Sequence, residues 1–360
     1  MKLIALLMSF VLLSSCGISK FERTPKVFFQ TNSKIRSAIV TDNGRLYFGN
    51  QNCEFYAINI SGKKVAWVYS TDEAVETWPV ITDDKIIFNA GNTLYILNSK
   101  NGNELYKVTH PSEKSTRASK DRWTFNDSYV AVSNGIAYYL TLDGELVAVD
   151  INKGNIIWTL PSESPGVAYS GVNYDNGKLY YTDYSGHMCC VDTEKKQLVF
   201  RTNIGDRVYA PIHIDNGKLY AGGRSTKMHC IDGTSGEIIW STFSFNKTTW
   251  FSGGSVSVGD ILYTGTSDEH TIVSINKQTG ELLHSFPAEM NVYTQPVLNG
   301  ENVIAISTFN KSYIIEFDTK TKQKLWQGQV EEDVLSSQSI YKGKIYFGSD
   351  SGRIYSINLK

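Results

Sequence analysis

From residue 26 onward, apolar and polar positions alternate in short runs separated by turn residues, and no helix-period segment of useful length appears. One unit recurs. A Gly or Asp opens a β-rich run such as GRLYFG, GKLYYT, GKLYAG or GKIYFG, a tight turn follows, and a second run ends in Asp or Asn. The middles of the first runs fall at Tyr47, Ile87, Tyr138, Tyr180, Tyr220, Tyr263, Ile304 and Tyr346, at intervals of 40, 51, 42, 40, 43, 41 and 42 residues. Periods near 40 residues indicate supersecondary units that bury their apolar faces against one another. The single long interval marks an insertion before Tyr138.

The second runs end at Asn59, Asn98, Asp150, Asp192, Asp232, Asn276, Asp318 and Asn358. Four residues on stands Gly102, Gly154, Gly236 or Gly280, and Gly62 comes one position early in the first unit. An Asx side chain caps a hairpin turn and Gly takes the left-handed backbone, so turn capping accounts for these carboxylates without metal or acid–base chemistry. Eight residues after the Asx come Trp67, Tyr106, Trp158, Phe200, Trp240, His284 and Trp326. In the eighth unit that slot lies beyond Lys360. The segment KVFFQT (residues 26–31), with Phe28 and Phe29, has the length to supply the missing outermost strand. The expectation is an all-β, eight-bladed β-propeller of four-stranded blades over residues 26–360, its last blade closed by the N-terminal strand, which leaves no open sheet edge in the ring.

Composition adds limits. Basic and acidic residues number 35 and 36, so no basic excess points to nucleic acid or anionic lipid. After residue 16 no stretch is apolar and long enough to span a bilayer. The N-terminus is different: Lys2 precedes an uncharged run over residues 3–13, too short for a bilayer span but fitting a signal-peptide core. It ends in Leu13-Ser14-Ser15-Cys16, which resembles a bacterial lipobox. That resemblance implies a signal peptide over residues 1–15, a lipid on Cys16 and a leash over residues 16–25. Gly17, where inner-membrane retention in enterobacteria-like species uses Asp, favours the periplasmic face of the outer membrane.

The period, the G-x-x-Y-x-G and Asx-x-x-x-G signatures and the Trp eight residues past the Asx resemble the pyrroloquinoline-quinone-type propeller repeat over nearly all of the mature chain. With the lipobox and this length, the chain resembles the BamB-like outer-membrane assembly factors, propeller lipoproteins of the β-barrel assembly machinery. The resemblance implies a non-catalytic scaffold whose partner is the barrel-forming subunit. In that family a long acidic loop into the middle blades docks the partner. Here the corresponding stretch is the short IGDRVYAP (residues 204–211), in which Asp206 and Arg207 match the loop's charged pair.

The same repeat builds quinone-dependent dehydrogenases, which need a calcium ion on carboxylate and amide oxygens, a base, and in some members a disulfide between adjacent cysteines. Cys189 and Cys190 are adjacent, but in GHMCCVD they lie on a strand, where neighbours face opposite ways. Cys190 shares a column with Ala57, Ala148, Cys230, Ser274 and Ser356, where a small side chain is required. Cys53 takes the turn slot of Gly144, Gly186 and Gly352 and is expected to be exposed. The six His are dispersed, His284 in the Trp column, and no metal, nucleophile-elbow or phosphate-loop motif occurs. No catalytic residue, metal or cofactor is expected.

A partner surface is expected where the loops between blades open together with the turn between second and third strands. These loops carry Trp78, Trp123, Tyr169, Trp250 with Phe251, and Tyr293, and the longest (residues 108–127) adds Lys114, Arg117, Lys120 and Arg122. Asp206, Arg207 and Tyr209 belong to the same face. Aromatics and Arg together are the side chains that protein-binding hot spots use. The candidates are Trp78, Arg122, Trp123, Asp206, Arg207, Tyr209, Trp250 and Tyr293. Strand addition at a blade edge is a second mode. A binding propeller for another envelope protein, an immunity or complex-scaffold lipoprotein, is the alternative reading, and a quinone-dependent enzyme the remote one.

Overall fold

A computed structural model describes residues 21–111, 129–164, 166, 170–205 and 207–360. The described strands form eight sheets, seven of four strands and one of five, antiparallel except for one short parallel edge strand on the five-stranded sheet. Each of blades 1 to 7 is a meander from the innermost strand outward; blade 1 runs Val40–Asp42, Arg45–Gly49, Glu54–Asn59, Lys64–Ser70. Blade 8 takes Ser339–Tyr341, Lys344–Gly348 and Arg353–Asn358 from the end of the chain and Lys26–Gln30 as its outermost strand. The expected closure is present: Lys26–Gln30 runs antiparallel to Arg353–Asn358.

The core is eight apolar clusters, each shared by two neighbouring blades. Tyr47, Phe55, Ala57 and Trp67 of blade 1 pack on Ile86, Phe88, Tyr95 and Leu97 of blade 2. The last such interface joins Phe28, Tyr346 and Ile354 of blade 8 to Leu46, Phe48 and Ile58 of blade 1. Because strand residues alternate sides, each blade feeds two interfaces: Cys189 belongs to the cluster between blades 3 and 4, Cys190 to that between blades 4 and 5.

The repeated Tyr, small residue and Trp form one row across each blade. Tyr47 is opposite Ala57, which is opposite Trp67. The same row is Tyr138, Ala148, Trp158 in blade 3 and Tyr220, Cys230, Trp240 in blade 5. Tyr and Trp rings meet over the small residue, with centroids 5.9 Å apart in blades 1 and 3 and 6.0 Å in blade 5. Blades 2 and 7 compensate in volume: Ile87 replaces the Tyr and the small residue grows to Ile96, while Ile304 faces Glu316.

Two of these Trp also reach the next blade. Trp67 Nε1 donates to Ser99 O at 3.1 Å and Trp240 Nε1 to Lys277 O at 3.0 Å. The acceptors directly follow the Asx that ends a third strand, and the Asx oxygen takes up the turn's N–H groups: Asp232 Oδ1 accepts from Thr234 N and Ser235 N, both at 2.8 Å. The turn-capping reading holds at Asn98, Asp150, Asp192, Asp232, Asn276 and Asp318, while Asn59 Oδ1 accepts from Arg45 Nε at 3.2 Å. Blade 8 has no such turn, and at that joint the geometry changes. Trp326 Nε1 donates instead to the buried Glu316 of its own blade, which also accepts from Asn299 Nδ2 (2.8 Å) and Asn302 Nδ2 (3.1 Å). Phe21–Glu22 lies parallel on the outermost strand of blade 7, and the Arg23 guanidinium sits 4.9 Å from the Trp326 ring centroid.

Blade 5 buries His229 on its third strand, Nδ1 2.8 Å from Ser241 Oγ and Nε2 without a partner. Burial, with Lys227 adding to it, pulls its pKa down to about 4. The unfolded chain therefore binds a proton that the folded chain refuses between the ordinary value near 6.5 and about 4. The stability held above pH 6.5 is lost as pH falls through that window, by about 3 kcal/mol from this residue. Urea unfolding at pH 7 and pH 4 should show His229→Gln losing less than the wild type by about that amount; an unchanged difference would remove His229 as the cause.

Candidate functional site

On one face of the ring the loops entering each blade meet the turns between second and third strands. The segment at residues 204–211 shows how such a loop is fixed. Ile204, Val208 and Ala210 are buried while Arg207 and Tyr209 are part-exposed, so apolar alternation nails the loop down and leaves polar and aromatic groups outward. Its backbone is gripped from the neighbouring turn: Arg224 N donates to Arg207 O at 3.2 Å, and a Cβ on Gly223 would stand 2.4 Å from that oxygen. Gly at 223 is what permits this approach.

Tyr209 and Trp250, on loops entering blades 5 and 6, stack with centroids 6.3 Å apart and planes 16° from parallel. The Arg224 guanidinium lies 4.5 Å from the Trp250 ring centroid, and its Nη1 donates to Tyr209 Oη at 3.4 Å. Planar cations on indole faces gain from the ring quadrupole and lose little entropy on binding. Arg207 sits 5.3 Å from the Tyr184 ring centroid. Trp250 continues into a pocket of about 380 Å³ whose walls include Tyr293, His270, Asp268, Met290 and Phe309. Phe309 is 44% exposed, and Asn291 Nδ2 orients Tyr293 by donating to its Oη at 2.6 Å.

Among the expected surface residues, the structure thus gathers Tyr209, Trp250 and Tyr293 into one patch, with Arg207 flanking it. Trp78 stands elsewhere, over blades 2 and 3, its ring 5.6 Å from Tyr129 and its Nε1 buried without a partner. Arg122, Trp123, Asp206 and Tyr169, like Cys16, lie outside the described residues. Tyr184, Arg224 and Phe309 were missed. All three sit on turns between second and third strands, a class of turn already placed on this face by the strand count, so that placement was the available signal.

The thiols of Cys189 and Cys190 are pushed up to about 12 and about 11 by burial, and both are free. Cys53 adopts φ of 59° at its glycine-like turn but is half-buried rather than exposed, because its carbonyl receives the N–H of Thr71 at 2.8 Å from the overlying loop. Burial opposes ionisation of Asp183, yet the His187 N–H and the Arg201 guanidinium outweigh it and hold the carboxyl below its ordinary range. Among the described residues no three His, Cys, Asp or Glu gather as metal ligands.

Outer edges are broken rather than inviting. In blades 2 to 7 the residue before the column aromatic bulges out of the ladder: Leu105, Ile157, Val199, Ile239, Leu283 and Leu325, all exposed. Bulges shorten the unbroken stretch of an edge that strand addition can use. The edge of blade 7 is in addition occupied by Phe21–Glu22.

A family model described as outer membrane protein assembly factor BamB matches residues 23–170, 142–241 and 224–360. No curated protein sequence matches. Among solved structures, BamB from Moraxella catarrhalis aligns with a TM-score of 0.72 at 15% identity, over 93% of this chain and 100% of that one. The computationally designed Ika8 protein aligns at 0.76 and 14% identity, over 94% and 99%. Sqt1 of Saccharomyces cerevisiae aligns at 0.74 and 12%, over 94% and 99%. At such identities the structural likeness speaks for the propeller fold alone.

Proposed function

We propose, from the premise that this chain belongs to the family of the outer membrane protein assembly factor BamB, that it is a non-catalytic scaffold lipoprotein assisting assembly of outer-membrane β-barrel proteins. In this reading Cys16 carries the lipid and holds the propeller at the periplasmic face of the outer membrane. The partner is the barrel-forming subunit of the assembly machinery, and the membrane is touched only through the anchor. The observation that carries it is the patch of Arg207, Tyr209, Arg224, Trp250 and Tyr293, in which ring stacking, a cation over an indole and hydrogen bonds already set the side chains in the free chain. Preorganised aromatic and Arg side chains bind without a large ordering cost.

Affinity capture of the tagged chain from gently solubilised native membranes, with mass spectrometry, tests the reading. Near-stoichiometric recovery of the barrel-forming subunit is expected. Arg207→Glu with Trp250→Ala should weaken that capture by at least about thirtyfold, or roughly 2 kcal/mol, at unchanged melting temperature. Undiminished capture by the folded double variant would exclude this face. The shortness of residues 204–211 favours one second reading, a propeller serving another envelope protein; a different dominant partner would select it.

A further inference from the structure

Away from that patch, on the face of the ring that carries the turns between third and outermost strands, blades 8 and 1 enclose a pocket of about 430 Å³. Five cationic side chains line it, Arg23, Lys26, Lys63, Lys344 and Lys360, and no Asp or Glu is among the described lining residues. In a chain with 35 basic and 36 acidic residues, that is a local segregation of charge. The floor is apolar, made by Phe28, Ile60 and Ile357.

The pocket follows from how the last blade is completed. In blades 2 to 7 a turn leads from third to outermost strand, and its Asx receives backbone N–H groups, as Asp318 Oδ1 does from Lys320 N and Thr321 N at 2.8 Å. Blade 8 receives its outermost strand from residues 26–30, so the corner such a turn would fill is a concavity, and Asn358 leaves the Asx position uncharged. Arg23 is already aimed: its Nη1 donates to Asn358 O at 2.8 Å while its face covers Trp326. Lys63 holds φ of 53° at the turn of blade 1, which puts its ammonium 5.4 Å from the Phe28 ring centroid at the pocket wall. The three remaining lysines, at 26, 344 and 360, are exposed, and among the described residues no ion pair engages them.

We propose that this pocket binds a phosphate ester, its oxygens held by Arg23 and the lysines and its carbon skeleton laid on the apolar floor. Guanidinium and ammonium groups together suit the several oxygens of a phosphate group, whether monoester or diester. The source is a phospholipid headgroup or a soluble phosphate ester. Cys16 precedes Arg23 closely enough that a lipid anchored there stays within about 25 Å of the pocket, which places headgroups in reach.

The test uses the full lipidated chain in a neutral nonionic detergent, titrated calorimetrically with pyrophosphate. Binding at millimolar concentration or below is expected, weakening as salt rises. Lys26→Gln, Lys344→Gln and Lys360→Gln together should weaken it at least tenfold at unchanged melting temperature. Lys153→Gln with Lys195→Gln, away from the pocket, should leave it unaltered. Displacement of pyrophosphate by micelles doped with phosphatidylglycerol, and not by phosphatidylcholine, assigns the site to lipid headgroups; failure of both to displace it assigns it to soluble phosphate esters. Absence of heat with the wild type, or equal losses in the pocket and control variants, overturns the proposal.

Discussion

Phe28→Ala is expected to cost about 3–5 kcal/mol, whereas Phe29→Ala, one residue along the same strand, should cost about 1 kcal/mol. Phe28 is 8% exposed and meets Tyr346 edge-on with centroids 5.2 Å apart, repeating the Tyr–Trp pairing of blades 1, 3 and 5. Phe29 is half-buried and only approaches Tyr56, at 6.4 Å. The loss should be local at first. Amides of residues 353–356, which pair with the closing strand, should exchange faster in Phe28→Ala, while those of His187–Asp192 on the far side of the ring keep their protection. Equal destabilisation by the two variants would mean that the closing strand is held by its ladder and not by this ring.

That closing strand shows how far the sequence can be read. Counting eight residues past each Asx predicts a missing outermost strand and an aromatic segment to supply it, and both stand. The register does not follow the count. Lys26, not a Phe, lies opposite Ser356, and the ladder shifts between Val27 and Phe29 so that Phe28 enters from a bulge. A strand that comes from the other end of the chain carries no turn to set its register, so the pattern could name the segment but not the residue. The departures at Ile304 and Glu316 lie beside the same joint. Glu316, in the column of small residues, accepts the Trp326 N–H within its own blade, where Trp67 and Trp240 donate to the following blade.

The patch was legible in kind and not in detail. Tyr209, Trp250 and Tyr293 stood out because large aromatics in loops need a reason. Their grouping depends on Arg224, which arrives on a turn of the preceding blade and joins Trp250 to Tyr209. No local pattern couples positions on separate loops; only the ring's curvature sets which of them meet. Trp78, alike in sequence, is carried to another sector and packs on Tyr129.

Gly102 and Trp67 should show strong coupling in a double-mutant cycle. Gly102 holds φ of +75°, and a Cβ there would lie 2.6 Å from Trp67 Cδ2, a rigid ring atom of the preceding blade. Gly102→Ala therefore carries two costs, roughly 1 kcal/mol for the left-handed backbone and about 2 kcal/mol for displacing the indole. Gly217, with φ of +72° and open space around it, should lose only the first when changed to Ala. Trp67→Ala alone should cost about 3–5 kcal/mol, since it empties the place between Tyr47 and Phe55 and removes one of the donors to the Ser99 carbonyl. With the indole gone, the added methyl of Gly102→Ala meets no ring, so the double variant should be about 2 kcal/mol more stable than the sum of the singles predicts. Three other joints have the same geometry, Gly154 on Tyr106, Gly236 on Phe200 and Gly280 on Trp240. The glycine of the repeat is thus selected by the aromatic of the blade before it as well as by its own turn. Strict additivity at Gly102 and Trp67 would reduce it to a turn residue and remove the reason for the fixed spacing between them.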